Sequence, residues 1–219
     1  MTPMSETVGI FGYGSLVNRS ARRHQIDARE LDLRGWRRSW THCVETERGG
    51  VCALTIVPSA NEGVRGVLLD FPRAELPALD ARELGYRRIA ISRDATGACG
   101  DKSSDQDMFT YVSTEAASRP GSREFPIWRS YLECVLAGYY DLGGVAAVRE
   151  FLATTRGWGV PILDDRNAPK YMRAVMLSDE TRRRLDELIH ERELDALQFS
   201  EPLVKAPTAD PLAGPDEFG

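Results

Sequence analysis

The feature that most constrains the fold is a change in the spacing of apolar residues about halfway along the chain. The first half holds short runs of β-branched and apolar residues between glycine-rich turns, such as residues 8–12 and 51–57. This pattern is typical of strands. From Pro126 onward the apolar residues recur at intervals of three and four, as over 126–140 and 179–197, which predicts helices. Strands that precede helices, instead of alternating with them, predict an α+β fold.

The same signals predict the finer boundaries. Residues 31–45 and 51–57 flank Arg48-Gly49-Gly50 and should form a hairpin. The cluster Pro58-Ser-Ala-Asn-Glu-Gly63 predicts a second turn. The other predicted elements are strands over 8–12, 64–71, 86–92, 108–113 and 173–177, a helical turn over 18–24, and helices over 72–83, 126–140, 145–155 and 179–197, the last capped by Ser178.

The length of 219 residues fits one domain with an appendage. A hydrophobic share of 42% and a charged share of 28% are typical of a soluble globular protein. Residues 200–219 carry four prolines and little apolar bulk. We therefore predict a single domain over residues 1–199 and a flexible tail over 200–219.

The charge distribution argues against two classes of partner. The formal net charge is −5, and a mildly acidic chain is not attracted to nucleic acid or to anionic membranes. Of the 28 basic residues only three are lysines, and the arginines are spread among acids along the whole chain. We therefore expect the arginines to lie on an ordinary solvated surface.

The cysteines and the N-terminus bear on metals and on the compartment. The four cysteines include no C-x-x-C pair and have no histidine at zinc-site spacing, so no metal or other cofactor is expected. Residues 1–7 carry no basic residue, and the uncharged stretch over 7–18 is short and broken by glycines. Neither a signal peptide nor a membrane anchor fits this pattern. The prediction is a cytoplasmic protein with reduced thiols.

Two short segments in the first half could carry chemistry. The loop Gly12-Tyr13-Gly14-Ser15-Leu16 follows the first predicted strand, and its backbone amides could form an anion-binding nest or simply a tight connection. Glu83 lies where a predicted helix ends and a strand begins, where a carboxylate can act as a general acid/base or can be exposed. Asp80 and Arg82 beside it are expected to cap the helix and to form salt bridges.

Two further candidates lie in the second half. Tyr131 stands on the helix after Pro126, and its hydroxyl could reach a ligand or be satisfied within the core. The charged loop from Asp164 to Tyr171 could cover a site or be a solvated connection. The three histidines show no triad or zinc pattern.

Taken in chain order, the loop at residues 12–16, the Leu79-Asp80-x-x-Glu83 segment and Pro126-x-x-x-x-Tyr131-Leu132 resemble the γ-glutamylcyclotransferase-like superfamily. The resemblance is strongest to bacterial branches with a Tyr-Gly-Ser-Leu loop, and it covers residues 8–144. Two features depart from the family pattern. Glu83 is followed by Leu84-Gly85 where members often have Glu-Gly, and the segment before Tyr131 is one residue longer.

The resemblance implies a mixed sheet curled into a small barrel with surrounding helices and a cavity above the loop. It implies conversion of a γ-glutamyl amide, such as a γ-glutamyl amino acid or glutathione, to 5-oxoproline and a free amine. The implied roles are general acid/base for Glu83, a cradle formed by Tyr13, Gly14, Ser15 and Leu16, and a hydroxyl donor for Tyr131. A binding protein that uses the same cavity without catalysis is the alternative. The choice of substrate and the oligomeric state stay open.

Overall fold

In the part of the chain that the structure describes, the fold combines a five-stranded sheet with three α-helices, as expected for the α+β class. The computed structural model of the protein describes residues 6–22, 28–96 and 106–198. The strands are β1 (Thr7–Gly12), β2 (Ala28–Thr46), β3 (Gly49–Pro72), β4 (Tyr86–Ala90), β5 (Met108–Ser113), β6 (Ile127–Trp128) and β7 (Ile162–Leu163). The helices are α1 (Leu76–Arg82), α2 (Arg129–Thr154) and α3 (Asp179–Gln198). The tail predicted from residue 200 and most of the loop over 94–107 lie outside the described residues.

The hairpin predicted in the first half is confirmed, but the turn predicted over 58–63 is wrong. Strands β2 and β3 pair antiparallel from Ala28 opposite Leu69 to Thr46 opposite Gly49, and β3 runs through the segment without reversing. Four residues of β3, 59–62, face the single residue Gly35 of β2. Proline and polar residues therefore mark a bulge at this place. A bulge interrupts the hydrogen-bond ladder, so it accepts these residue types as readily as a turn does.

The sheet is mixed and curled but not closed. Its strand order is β2-β3-β1-β5-β4, with β1 parallel to β5 and antiparallel to β3. Within the described residues the outer strands β2 and β4 share no ladder, and a single bridge joins Leu33 of β2 to Thr96, beyond the end of β4. The fold class predicted from the sequence is confirmed, whereas the barrel implied by the resemblance stays open at this edge.

Helix α2 covers the sheet and is almost wholly buried in its first three turns. It kinks at Gly143 and Gly144, where Gly144 has a φ of +61°, so the helix break predicted there is confirmed. Helix α3 packs on α2, and the Ser178 hydroxyl accepts a hydrogen bond from the Thr181 N–H at 3.1 Å, as predicted for its cap. The strand predicted over 173–177 is wrong, because in the described chain this segment has no neighbouring strand to pair with.

One arginine departs from the expected solvated surface. Arg38 of β2 is 1% exposed and lies over the rings of two aromatic residues of α2. Its guanidinium donates hydrogen bonds to Thr155 Oγ1 (3.1 Å), Thr154 Oγ1 (2.7 Å), Tyr139 Oη (3.0 Å) and the Arg65 carbonyl (2.8 Å). This side chain ties the sheet to the second half of α2 through neutral acceptors.

Cys43, Cys52 and Cys134 are free and buried. No helix in the described part of the chain combines the length and the apolar character needed to cross a membrane.

Candidate functional site

The three sequence-predicted segments meet at one small pocket. Tyr13, Gly14, Ser15 and Leu16 contribute one side, and Glu83 and Tyr131 contribute others. The remaining lining residues are Phe11, Gly12, Leu54, Tyr86 and Tyr111. The pocket volume is about 50 Å³, a few times what one water molecule needs.

Tight packing fixes the loop that forms the base of the pocket. A Cβ atom on Gly12 would lie 2.6 Å from Leu16 Cβ, and one on Gly14 would lie 3.1 Å from the Tyr131 hydroxyl. A side chain at residue 12 would therefore force its neighbour to shift, and one at residue 14 would crowd the Tyr131 hydroxyl. The chain then turns into a short 3₁₀-helix, Ser15–Val17, whose end is held by the Arg22 guanidinium, which donates to the Leu16 carbonyl at 2.9 Å.

Glu83 ends α1 and points its carboxylate toward the pocket. Its backbone N–H donates to the Leu79 carbonyl at 3.1 Å, and its side chain is 19% exposed. The guanidinium of Arg82 lies 3.0 Å from Glu83 Oε1, and Arg88 lies 3.2 Å from Asp80 Oδ2. The salt-bridge roles predicted for Asp80 and Arg82 are thus confirmed. Arg82 fixes the carboxylate beside the pocket.

His42 holds the turn that follows Glu83. The sequence analysis did not predict this role for His42. Its Nε2 lies 3.1 Å from the Leu84 carbonyl and its Nδ1 lies 3.0 Å from Ser113 Oγ. Because a carbonyl only accepts, Nε2 carries the proton and Nδ1 is the acceptor. The ring also stacks on Tyr86 with centroids 3.5 Å apart. The extra residue Leu84, a departure from the family pattern, is therefore fixed by a neutral imidazole.

Burial gives His42 a measurable effect on stability. Desolvation lowers its pKa from 6.5 to about 4, against the weaker effect of its hydrogen bond to Leu84. Since the unfolded chain binds this proton more readily, its contribution to stability is complete above pH 6.5 and is lost as the pH falls toward 4. We expect a loss of about 3 kcal/mol in the free energy of unfolding over this range. Urea denaturation at a series of pH values measures it.

The His42→Gln variant provides the control for that slope. Glutamine can still donate to the Leu84 carbonyl but does not titrate. The difference between wild type and variant therefore isolates His42 from the carboxylates that titrate lower. Equal slopes in the two proteins between pH 6.5 and 4 would contradict the assignment.

Three tyrosine hydroxyls around the pocket give their protons to protein acceptors. Tyr13 donates to the Tyr111 carbonyl at 2.7 Å, Tyr86 to the Leu54 carbonyl at 2.6 Å, and Tyr111 to Asp80 Oδ1 at 2.6 Å. Burial is the largest cause of a raised pKa in each, so all three stay neutral.

The sequence analysis missed Tyr86 and Tyr111. In β4 and β5, Tyr86 lies opposite Ser113 and Arg88 lies opposite Tyr111, so both tyrosines share one face of the sheet. Because side chains alternate between the two faces of a sheet, the sequence of each strand could have shown which of its residues share a face. The register that brings the two together was not readable from either strand alone.

Tyr131 differs from the other three. Its hydroxyl lies 3.5 Å from the Leu54 N–H, an arrangement in which it accepts. Burial holds its pKa well above the ordinary value, so the phenol keeps its proton. Among the described residues of the pocket the Tyr131 hydroxyl makes no hydrogen bond in which it donates, so its proton is available to a ligand.

The arrangement is one carboxylate beside a wall of neutral phenols and a loop of closely packed backbone amides. Such a site can move a proton through Glu83 and can hold an anionic group on the amides of residues 14–16. Across the described residues, no group of three or more His, Cys, Asp and Glu side chains is placed to hold a metal ion.

Comparisons with known proteins give a family and a fold. The sequence model of the ChaC-like protein family matches residues 8–121, more than half of the chain. No curated protein matches at a significant level. An uncharacterized protein from Homo sapiens superposes with a TM-score of 0.52 at 16% identity, covering 83% of this chain and 99% of that one.

Two further solved structures are similar. A γ-glutamyl cyclotransferase gives a TM-score of 0.52 at 16% identity, with 83% of this chain and 99% of that chain covered. YkqA from Bacillus subtilis gives 0.51 at 17% identity over 73% of this chain and 57% of its own. At such identities the likeness shows a shared fold.

Proposed function

We propose that this γ-glutamylcyclotransferase-like enzyme, which belongs to the ChaC-like family, cyclises the γ-glutamyl group of a small γ-glutamyl amide to 5-oxoproline and releases the amine. The family and the fold confirm the superfamily that the sequence motifs predicted. The observation that carries the proposal is the meeting of the loop at residues 13–16, Glu83 and Tyr131 around one pocket.

Glu83 is the proposed general acid/base. The substrate α-amine is an ammonium at neutral pH and cannot attack until it loses a proton, which the carboxylate of Glu83 accepts. The freed amine attacks the γ-carbonyl carbon, and a carbon–nitrogen bond forms in a five-membered ring. Glu83 then donates its proton to the leaving nitrogen as the original amide bond breaks. The ring nitrogen loses a second proton, and the released amine takes one up, so protons balance overall.

The pocket walls orient the flexible glutamyl chain. Attack is intramolecular, so holding the chain in the attacking conformer removes a large share of the entropic barrier. In this proposal the amides of residues 14–16 hold the substrate α-carboxylate, and the Tyr131 hydroxyl donates to a carbonyl oxygen that becomes negative. The pocket is too small for a whole γ-glutamyl amide, so in this proposal it holds the reacting end and the leaving amine extends toward solvent. The amine can therefore belong to an amino acid or to the dipeptide part of glutathione.

A substrate panel tests this function. Purified protein is incubated with glutathione, several γ-glutamyl amino acids and a γ-glutamyl amine, and 5-oxoproline is quantified by liquid chromatography. Release from at least one member is expected, with the rank order naming the substrate class. Stabilisation by 5-oxoproline in a thermal shift assay without any turnover would favour the non-catalytic binding protein.

A further inference from the structure

The loop over 164–171 is anchored to the core by hydrogen bonds to a buried carboxylate. Asp165 is 7% exposed and accepts three hydrogen bonds, from Ser130 N at 2.7 Å, Ser130 Oγ at 2.5 Å and Lys170 N at 2.8 Å. Ser130 Oγ in turn accepts from the Tyr171 N–H at 3.1 Å. A carboxylate with three donors fixes this loop to the first turn of α2, one residue from Tyr131. The solvated connection expected for this segment describes only its exposed positions, Asp164 and residues 167–169.

This anchor places Tyr171 beside the pocket. Its ring meets that of Tyr131 edge-on, with centroids 5.1 Å apart. Tyr131 itself faces the loop, because a Cβ atom on Gly14 would lie 3.1 Å from its hydroxyl. Tyr171 therefore packs directly behind Tyr131, a residue that lines the pocket.

The Tyr171 hydroxyl is buried and makes no hydrogen bond. A buried hydroxyl without a partner lowers stability, so such groups are few in folded proteins, and a bound ligand can supply the missing partner. Burial raises the pKa of Tyr171 to about 12, so the phenol retains a proton to donate. Tyr13, Tyr86 and Tyr111 each donate a hydrogen bond to a protein acceptor, whereas Tyr171 does not.

We propose that Tyr171 is a substrate-binding residue whose hydroxyl donates a hydrogen bond to the α-carboxylate of the γ-glutamyl group. The carboxylate is the acceptor that fits, because Tyr171 contacts Tyr131, and Tyr131 faces Gly14 in the loop that holds that same group in the proposed function. This inference rests on the proposed function. It adds to the site a residue from a part of the chain, beyond residue 144, that the sequence motifs did not reach.

The Tyr171→Phe variant tests whether the Tyr171 hydroxyl binds the substrate. Phenylalanine keeps the edge contact with Tyr131 and removes only the oxygen. If Tyr171 binds the carboxylate, kcat/KM for the best panel substrate falls about 10- to 100-fold, chiefly through KM. The Kd for 5-oxoproline, measured by titration calorimetry, rises by a similar factor. The melting temperature stays level or rises, since an unpaired buried hydroxyl has been removed.

A matched control is Tyr140→Phe, because Tyr140 is a half-buried tyrosine of α2 outside the site, and its kinetics should equal wild type. Unchanged KM and Kd in Tyr171→Phe would overturn the inference and leave the cyclotransferase function standing. A variant that melts several degrees lower, with kcat reduced but KM and Kd unchanged, would also overturn it by showing a structural role. Wild-type protein that releases no 5-oxoproline fails at the proposed function itself, and the inference then falls with it.

Discussion

Glu83→Gln should lower kcat/KM for 5-oxoproline release by two to four orders of magnitude, the range typical of a lost general acid/base. Glutamine is nearly the same size and its carbonyl oxygen can still accept from Arg82, 3.0 Å from the native Oε1. It cannot take a proton from the substrate ammonium. Steady-state kinetics on the best panel substrate, with 5-oxoproline quantified directly, measure the change.

Two comparisons make this result specific. Glu115→Gln removes an exposed carboxylate elsewhere and should leave turnover unchanged. The lactam product carries no ammonium, so Glu83→Gln should still bind 5-oxoproline within a few-fold of wild type, which reports an intact pocket. Turnover in Glu83→Gln near the wild-type rate would remove Glu83 from the mechanism.

Arg38→Ala should lower the free energy of unfolding by about 3–5 kcal/mol. The substitution leaves a cavity and strips donors from four buried or half-buried acceptors, among them Thr154, Thr155 and Tyr139. Water cannot readily replace those donors, because Arg38 is almost wholly buried. Urea denaturation monitored by tryptophan fluorescence measures the loss.

The neighbouring residue provides the control. Arg37 is about half exposed and lies 3.7 Å from Glu62 at the surface, so Arg37→Ala should change stability by less than about 0.5 kcal/mol. Similar losses in the two variants would show that the buried network around Arg38 contributes little. Because the Tyr139 hydroxyl also lies 2.9 Å from the Tyr13 carbonyl, Arg38→Ala should in addition raise KM.

The elements that the sequence predicted well are those whose signal is local. The periodicity of β1 and β5, the cap at Ser178 and the glycine break in α2 each depend on residues adjacent in the chain. The bulge at residues 59–62 carries the same residue types as a turn, so composition could not distinguish the two. The pairing partner decides between them, and the partner is some 25 residues away in β2.

For the candidate site, too, the residues with a local sequence signal were predicted and those placed by distant contacts were not. Motif residues from three segments line the pocket together, as the resemblance implied. Tyr86 and His42 were missed, and Tyr171 was included only as the end of a charged loop. Each of the three owes its place to a register or an anchor set elsewhere: the β4–β5 ladder, the Leu84 carbonyl and the buried Asp165. Arg38 was assigned to the surface because an arginine surrounded by neutral acceptors has no signature in one sequence.

The strand order has a consequence for how the protein reaches its native state. The β2–β3 hairpin closes through a two-residue turn and can form early, since its contacts begin between near neighbours. Strand β1 pairs in parallel with β5 about 100 residues later, and the pocket needs β1, the end of α1 and α2 at once. Closing such long loops is entropically costly and slow. We expect turnover to appear after most of the secondary structure has formed, so that activity reports the last stage of folding.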